Sequence, residues 1–310
     1  MQERTQIRMG GYGPPTTGFS RALKRIGDRL EATLGDRVEV KYVWNIMDLG
    51  YKAEDILWLV EHGLLTLGYQ SSSYLTDRIP ELGVLDLPFL FATTERARAA
   101  IDGALGQKLA KKIEERAGYR VLGFFENGFR HLSNRVRPVR MPADLAGQRI
   151  RVLPSKVHAR TFELLGAVPM RMDLTEAIRM ITAGEVDAQE NPLSNTVTYG
   201  IHKFHRFHTL TSHFYISRPI FVHRAAFDVW PDDLKAALCD AVTEAIAFQR
   251  EVHEHEEEEA RAAIAAAGCE ITELTTAGHE AFAASLQPVY GEARKHYGDA
   301  LLAVAGVAAA

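Results

Sequence analysis

An arginine on a short apolar strand is well suited to grip a planar anion. Arg151 stands in such a place, within Gln148-Arg149-Ile150-Arg151-Val152. A guanidinium fork makes two parallel charge-assisted bonds to a carboxylate, a geometry that lysine does not reproduce. Further along, Gly184-Glu185-Val186-Asp187-Ala188-Gln189-Glu190-Asn191-Pro192 ends a helix, runs through a very short strand and halts at a proline. Such a halt leaves the Asn191 amide at a strand-to-loop exit, where ligands of α/β sheets sit. Each residue also has a plainer reading. Arg151 can be a surface arginine or half of an internal ion pair, and Asn191 can cap the helix after Pro192. On a regular strand Arg149 points the same way as Arg151, nearer the sheet rim.

Other side chains compete for a role. Arg130, after the glycine of Asn127-Gly128-Phe129-Arg130, either holds a second polar end of a ligand or forms a structural ion pair. The turn Gly10-Gly11-Tyr12-Gly13-Pro14-Pro15 lacks the spacing of a dinucleotide fingerprint and the lysine of a phosphate loop. It would present Tyr12 and backbone amides to a cleft, which Gln70, Ser71, Ser72, Ser73 and Tyr74 would also line. His213 and Phe214 lie on a crossing segment, where Phe214 either stacks on a ligand or fills the core. The run His253-Glu254-His255-Glu256-Glu257-Glu258-Glu259 lacks the paired-histidine spacing of a zinc helix and reads as a solvated face. No metal, cofactor or catalytic residue is expected, since nucleophile elbows and paired Cys-x-x-Cys motifs are missing from the sequence.

The elements that must position these groups follow from periodicity. The 310 residues suffice for two domains, and 46% hydrophobic with 25% charged residues describes a globular protein. A net charge of −4 gives no reason to expect a nucleic-acid partner. No apolar run approaches the ~20 residues of a membrane span. The start, Met1-Gln2-Glu3-Arg4-Thr5-Gln6, has no secretion signal, so either the protein is cytoplasmic or a signal has been removed. Cys239 and Cys269 lie roughly 40 Å apart along one predicted helix, so two free, mostly buried thiols are expected. Strands at 6–10, 38–42, 64–69 and 119–125 alternate with helices at 17–33, 53–61 and 94–117, implying a mainly parallel sheet with covered faces. A second unit begins near Asn127, with strands at 149–153 and 168–172 and helices at 155–165 and 175–183. Two β segments follow, at 207–211 and 215–223. A helix opened by Trp230-Pro231-Asp232-Asp233 runs to about Ala267, and is long enough to bridge two units. A strand at 269–274 and a terminal helix at 277–302 complete the chain. The expected fold is α/β, a two-domain clamshell with discontinuous domains. Residues 1–126 plus about 213–252 form the first, 127–212 plus about 253–310 the second, with a ligand cleft between them.

Five stretches in order give the chain a resemblance over nearly its whole length. They are Leu85-Asp86-Leu87-Pro88-Phe89-Leu90-Phe91, Asn127-Gly128-Phe129-Arg130, Asp144 through Val152, Gly184 through Pro192, and Thr211-Ser212-His213-Phe214-Tyr215. The sequence resembles the substrate-binding subunits of tripartite ATP-independent periplasmic (TRAP) transporters, whose fold is a periplasmic-binding-protein clamshell of type II-like form. The family pattern has asparagine where Ser212 stands and glycine where Phe214 stands. The resemblance implies a non-catalytic, monomeric, periplasmic receptor. It would bind a small organic carboxylate by hinge closure and deliver it to the small and large membrane subunits. Arg151 is then the carboxylate anchor, Asn191 a second contact and Arg130 a further one. Two other readings remain: an α/β enzyme whose carboxylate substrate Arg151 orients, and a cytosolic ligand-sensing domain.

Overall fold

The computed structural model of the protein describes residues 4–308. The chain opens with β1 (Thr5–Gly10), α1 (Gly18–Leu34), β2 (Val38–Val43), α2 (Asp55–Glu61) and β3 (Leu67–Tyr69). Helix α1 starts where the Thr17 side chain accepts the Ser20 amide and ends at Gly35, whose φ of 56° is left-handed. Its apolar stripe of Phe19, Leu23, Ile26 and Leu30 is buried. A Cβ on Gly27 would lie 1.9 Å from the Tyr42 hydroxyl, so only glycine lets α1 pack this closely on β2.

Next come α3 (Thr94–Asp102) and α4 (Ala104–Arg116), separated by Gly103 in an extended conformation where one helix was expected. Strand β4 (Tyr119–Asn134) extends beyond the expected 119–125 and runs through Asn127-Gly128-Phe129-Arg130, with Gly128 at φ 80°. Then follow β5 (Arg149–Val152), α5 (Lys156–Leu164), β6 (Val168–Arg171), α6 (Leu174–Thr182), β7 (Ala188–Asn191) and α7 (Leu193–Thr198). The two expected β segments are one strand, β8 (Phe207–His223), followed by α8 (Arg224–Val229), α9 (Asp232–Ala266) and β9 (Glu270–Glu273). The expected terminal helix is three: α10 (Thr276–Ser285), α11 (Gln287–Tyr297) and α12 (Asp299–Val304). Proline in the first turn of α11 and Gly298 before α12 account for the breaks.

Two compact units are built from interleaved segments. The first contains Met1–Ser71, Gln107–Glu126 and Ser217–His255; the second contains Ser72–Gly106, Asn127–Ile216 and Glu256–Ala310. Residues 72–106 therefore belong with the second unit rather than the first. Their bonds show why: the Thr76 hydroxyl donates to the Pro154 carbonyl (3.2 Å), the Phe89 amide to the His213 carbonyl (2.8 Å), and the Tyr290 hydroxyl to the Pro88 carbonyl (2.7 Å). Helix α9 belongs to the first unit through His255 and to the second from Glu256.

In the first unit β2, β1 and β3 are parallel, and β3 meets β8 antiparallel at Leu67↔Val222. In the second unit β7 lies between β4 (antiparallel) and β5 (parallel), with β6 parallel to β5 and β9 parallel to β8. Most of these pairings are parallel, as expected, and the antiparallel ones arise where β8 returns against β3 and β4 against β7. The core of the second unit gathers Leu132, Ile150, Val152, Phe162 and Phe214. Both cysteines are free; Cys239 is exposed and Cys269 half-buried, more open than expected.

Candidate functional site

Strand β5 alternates. Ile150 and Val152 enter the core of the second unit, so Arg149 and Arg151 share the opposite face. Register then aligns Arg151 with Gln189 on β7, and Gln189 with Ser133 on β4. The Gln189 Nε2 donates to the Ser133 hydroxyl (3.2 Å), which confirms that this row shares one face. At the rim Arg149 donates to Asp187 from Nε (2.9 Å) and Nη2 (3.0 Å), and Arg135 donates to the same carboxylate (2.7 Å). The two arginines hold Asp187 well below the usual carboxylate range.

Arg151 is different, since it is buried and has no carboxylate partner among the described residues. Its Nη2 donates to the Tyr74 hydroxyl (3.2 Å) and the Met172 carbonyl (3.1 Å), while its Nε makes no hydrogen bond within the protein. The Tyr74 oxygen also accepts the Leu174 amide (3.0 Å). Burial pushes the Tyr74 pKa up, so the phenol keeps its proton and remains a donor. Two of the five guanidinium N–H groups are engaged, leaving three. A buried cation with spare donors is costly unless an anion meets it. This surrounding suits an acceptor-rich, negatively charged ligand.

Asn191 follows on the same face. Its Nδ2 donates to Gln189 Oε1 (2.9 Å), and its Oδ1 accepts from Asn195 Nδ2 (3.3 Å) one turn into α7. Asn195 Nδ2 also donates to Asn127 Oδ1 (2.9 Å). Pro192, not Asn191, occupies the cap position of α7, and Glu257 accepts the Leu193 and Ser194 amides there (3.1 and 2.9 Å). That carboxylate, from the run read as wholly solvated, has a structural task.

Arg130 forms a buried ion pair with Glu190, the plainer of its two readings. Its Nε and Nη2 grip the Glu190 carboxylate, and Nη2 also reaches the Glu190 carbonyl (2.6 Å). By alternation Glu190 lies on the face of β7 opposite Gln189 and Asn191, with Ala188 and the apolar core. His213 stands on the same side, its Nδ1 bonded to the Thr211 hydroxyl (2.6 Å) and its Nε2 3.9 Å from Glu190. Burial holds His213 well below the normal imidazole range, so it is neutral. Phe214 is a core aromatic: its ring stacks on His158 at 4.1 Å and meets Phe162 edge-on. His158 in turn lies 3.4 Å from Asp86, which accepts the Ser73 hydroxyl (2.7 Å). Ser72 is fully buried in the turn before Tyr74.

The remaining predicted residues lie in the first unit. Gln70 is held at both ends, donating to the Ala53 carbonyl (2.8 Å) and accepting the Ser71 amide (2.8 Å). Tyr12 is buried, its ring 5.2 Å from Tyr69. Sequence reasoning missed Arg218, whose guanidinium carbon sits 4.1 Å from the Phe19 ring centre and 5.1 Å from that of Tyr12. An arginine inside the apolar run of β8 was the available signal. It also missed Asn195, although a second asparagine four residues beyond Asn191 on a helix could have been noticed. A cleft of about 730 Å³ in the second unit, lined by Asp77, Lys156, Arg160, Arg171, Glu292 and Tyr297, contains none of the predicted residues. Arg160 there is already paired with Glu292 and Glu163 in solvent-exposed bridges, so the buried surroundings of Arg151 are the stronger candidate.

The family description of bacterial extracellular solute-binding proteins, family 7, matches residues 9–296. The chain belongs to that family. A solute-binding protein of Verminephrobacter eiseniae is 31% identical over 281 residues, which cover 91% of this chain and 82% of that one. A TRAP periplasmic solute-binding protein of Sulfurospirillum deleyianum, solved with bound succinate, is 26% identical with a TM-score of 0.91, and covers 98% of each chain. Another from a Polaromonas species, bound to D-erythronate, is 26% identical with a TM-score of 0.91 over 99% of this chain and all of that one. Membership of family 7 makes this protein a solute-binding receptor rather than an enzyme, and the two-domain α/β fold expected from the sequence is the fold of these relatives. Among the described residues no helix is long and apolar enough to cross a membrane.

Proposed function

We propose that this family 7 receptor works in the periplasm, binds a small organic acid by its carboxylate at Arg151, and delivers it to the small and large membrane subunits of a TRAP transporter. The observation that supports this most is the state of Arg151: buried, without a carboxylate of its own, and holding three N–H groups beside the protonated Tyr74 hydroxyl. Asn191, one short strand away on the same face, adds an amide N–H. The two structurally similar receptors were solved with succinate and D-erythronate. Those compounds differ in hydroxylation but share a carboxylate on a four-carbon chain, the part that an arginine anchor recognises.

The test begins with mass spectrometry of whatever small molecule leaves the purified protein on mild denaturation. Calorimetry then compares succinate and D-erythronate with their methyl esters or amides. The acids should bind far more tightly than the neutral derivatives and should be recovered unchanged. A neutral sugar or a cation emerging as the tight solute, with acids not competing, refutes the proposal.

A further inference from the structure

The polar side chains around Asn191 form a chain with a direction. Starting from Gln189, Nε2 donates to the hydroxyls of Ser133 (3.2 Å) and Thr196 (3.1 Å), and Oε1 accepts from Asn191. Asn191 Oδ1 accepts from Asn195, and the Nδ2 of Asn195 is shared with Asn127 Oδ1. Ser133 continues to Nδ1 of His205 (2.9 Å), a ring kept neutral because burial pushes its pKa down to about 3. Every member is buried. The amide oxygens of Gln189, Asn191 and Asn127 are each met by an N–H, so the orientation of these three amides is fixed by their neighbours.

Both ends of the chain are left over: among the described residues the buried Nε2 of His205 has no hydrogen-bond partner at one end, and Asn127 stands at the other. With its oxygen turned toward Asn195, the Asn127 amide directs its Nδ2 elsewhere, and that buried nitrogen makes no hydrogen bond among the described residues. Asn127 is 1% exposed, so water does not compensate it freely. A buried amide donor with no acceptor is destabilising, a cost that a binding protein recovers when its solute supplies the acceptor. Asn127 is also joined to the row of Arg151 through Asn195 on α7 and then Asn191 and Gln189 on β7.

We propose that Asn127 is a second solute-recognising residue, its amide donating to an oxygen of the acid other than the carboxylate held by Arg151, and that Asn195 is the positioning residue that orients it. This rests on the reading of Arg151 as anchor and narrows the solute class to acids bearing a further hydroxyl, keto or carboxylate oxygen. A plain monocarboxylate such as butyrate satisfies Arg151 and leaves Asn127 unmet.

The experiment measures succinate, D-erythronate and butyrate by calorimetry on the unaltered protein and on Asn127→Ala, Asn195→Ser and Arg151→Lys. The unaltered protein should prefer the better of the first two acids over butyrate by at least tenfold. Asn127→Ala should erase most of that preference by weakening the oxygenated acid while leaving butyrate unchanged. Asn195→Ser, whose hydroxyl reaches only one of the two amide oxygens, should reduce the preference in part. Arg151→Lys should weaken all three acids. A preference retained in Asn127→Ala overturns the inference, as does a uniform loss across the three acids, the mark of a merely structural role. Should Asn127→Ala not fold, an unreduced preference in Asn195→Ser overturns it instead. Unchanged binding in Arg151→Lys, or no binding of any acid to the unaltered protein, refutes the anchor reading and removes this inference with it.

Discussion

Replacing Arg151 by lysine isolates what the guanidinium contributes, because the charge stays and the donor geometry changes. The arginine has five N–H groups, two of which hold Tyr74 and Met172. A lysine that kept both bonds would have one donor left for a carboxylate instead of three. At least one charge-assisted bond to the solute is therefore lost, and such a bond contributes about 1.5–3 kcal/mol. That corresponds to roughly 10–150-fold in affinity. The fold should tolerate the exchange, because the Tyr74 oxygen keeps the Leu174 amide (3.0 Å) whatever becomes of residue 151. Titration calorimetry with the best-binding acid, alongside a urea melt of the solute-free protein, gives both numbers. Unchanged affinity in a protein with an unaltered melt would refute the reasoning, since the spare donors would then be irrelevant to binding.

Three further outcomes are expected. Ser212 has a φ of 46°, a region asparagine tolerates better than serine, so Ser212→Asn should stabilise the protein by about 0.5–1 kcal/mol in urea melts; destabilisation would show that the hydroxyl matters more than the backbone. Asp187 has a folded pKa depressed by Arg149 and Arg135, so its contribution is present above the unfolded value near 4 and fades as pH falls through the folded value. Asp187→Asn should flatten that acid-side decline and cost on the order of 1 kcal/mol at pH 7, because both arginines are half exposed and screened; an acid limb that keeps its slope would exclude Asp187 as its source. Phe214→Gly, the residue of the family pattern, should destabilise by about 3–5 kcal/mol by emptying the space against His158 and Phe162, and a thermal melt unchanged from the parent would contradict that packing.

The sequence was most readable where a local pattern decides the outcome. Arg151 was legible because strand alternation and the apolar neighbours Ile150 and Val152 fix its direction. The long helix from Asp232 was legible from its proline and acids. Arg130 was ambiguous because its partner Glu190 is distant in sequence and meets it only through strand register. The strands expected at 119–125 and 207–211 stopped short of Gly128 and Ser212, yet β4 and β8, neighbours in the sheet, run through both places, since strand pairing outweighs local propensity. Asn127, Asn195 and Arg218 stayed hidden for a related reason: their roles depend on which side chains pack beside them. Residues 72–106 were placed with the wrong neighbours because hydrogen bonds such as Thr76 to Pro154 leave no periodic trace.

The interleaving of the two units bears on how the chain is made. The second unit needs residues 72–106, then 127–216, then everything from Glu256 onward. Phe282 and Leu286 of its core, and the Tyr290 that fastens Pro88, emerge from the ribosome late. Until then the early segments of the second unit lack these late partners, and α7 lacks the carboxylate of Glu257 at its amino end. Completion is set by connectivity rather than by a slow chemical step, and contacts this remote in sequence are slow to form. A nascent chain of this topology keeps its second unit incomplete, and open to chaperones, until the segment from Glu256 onward has been made.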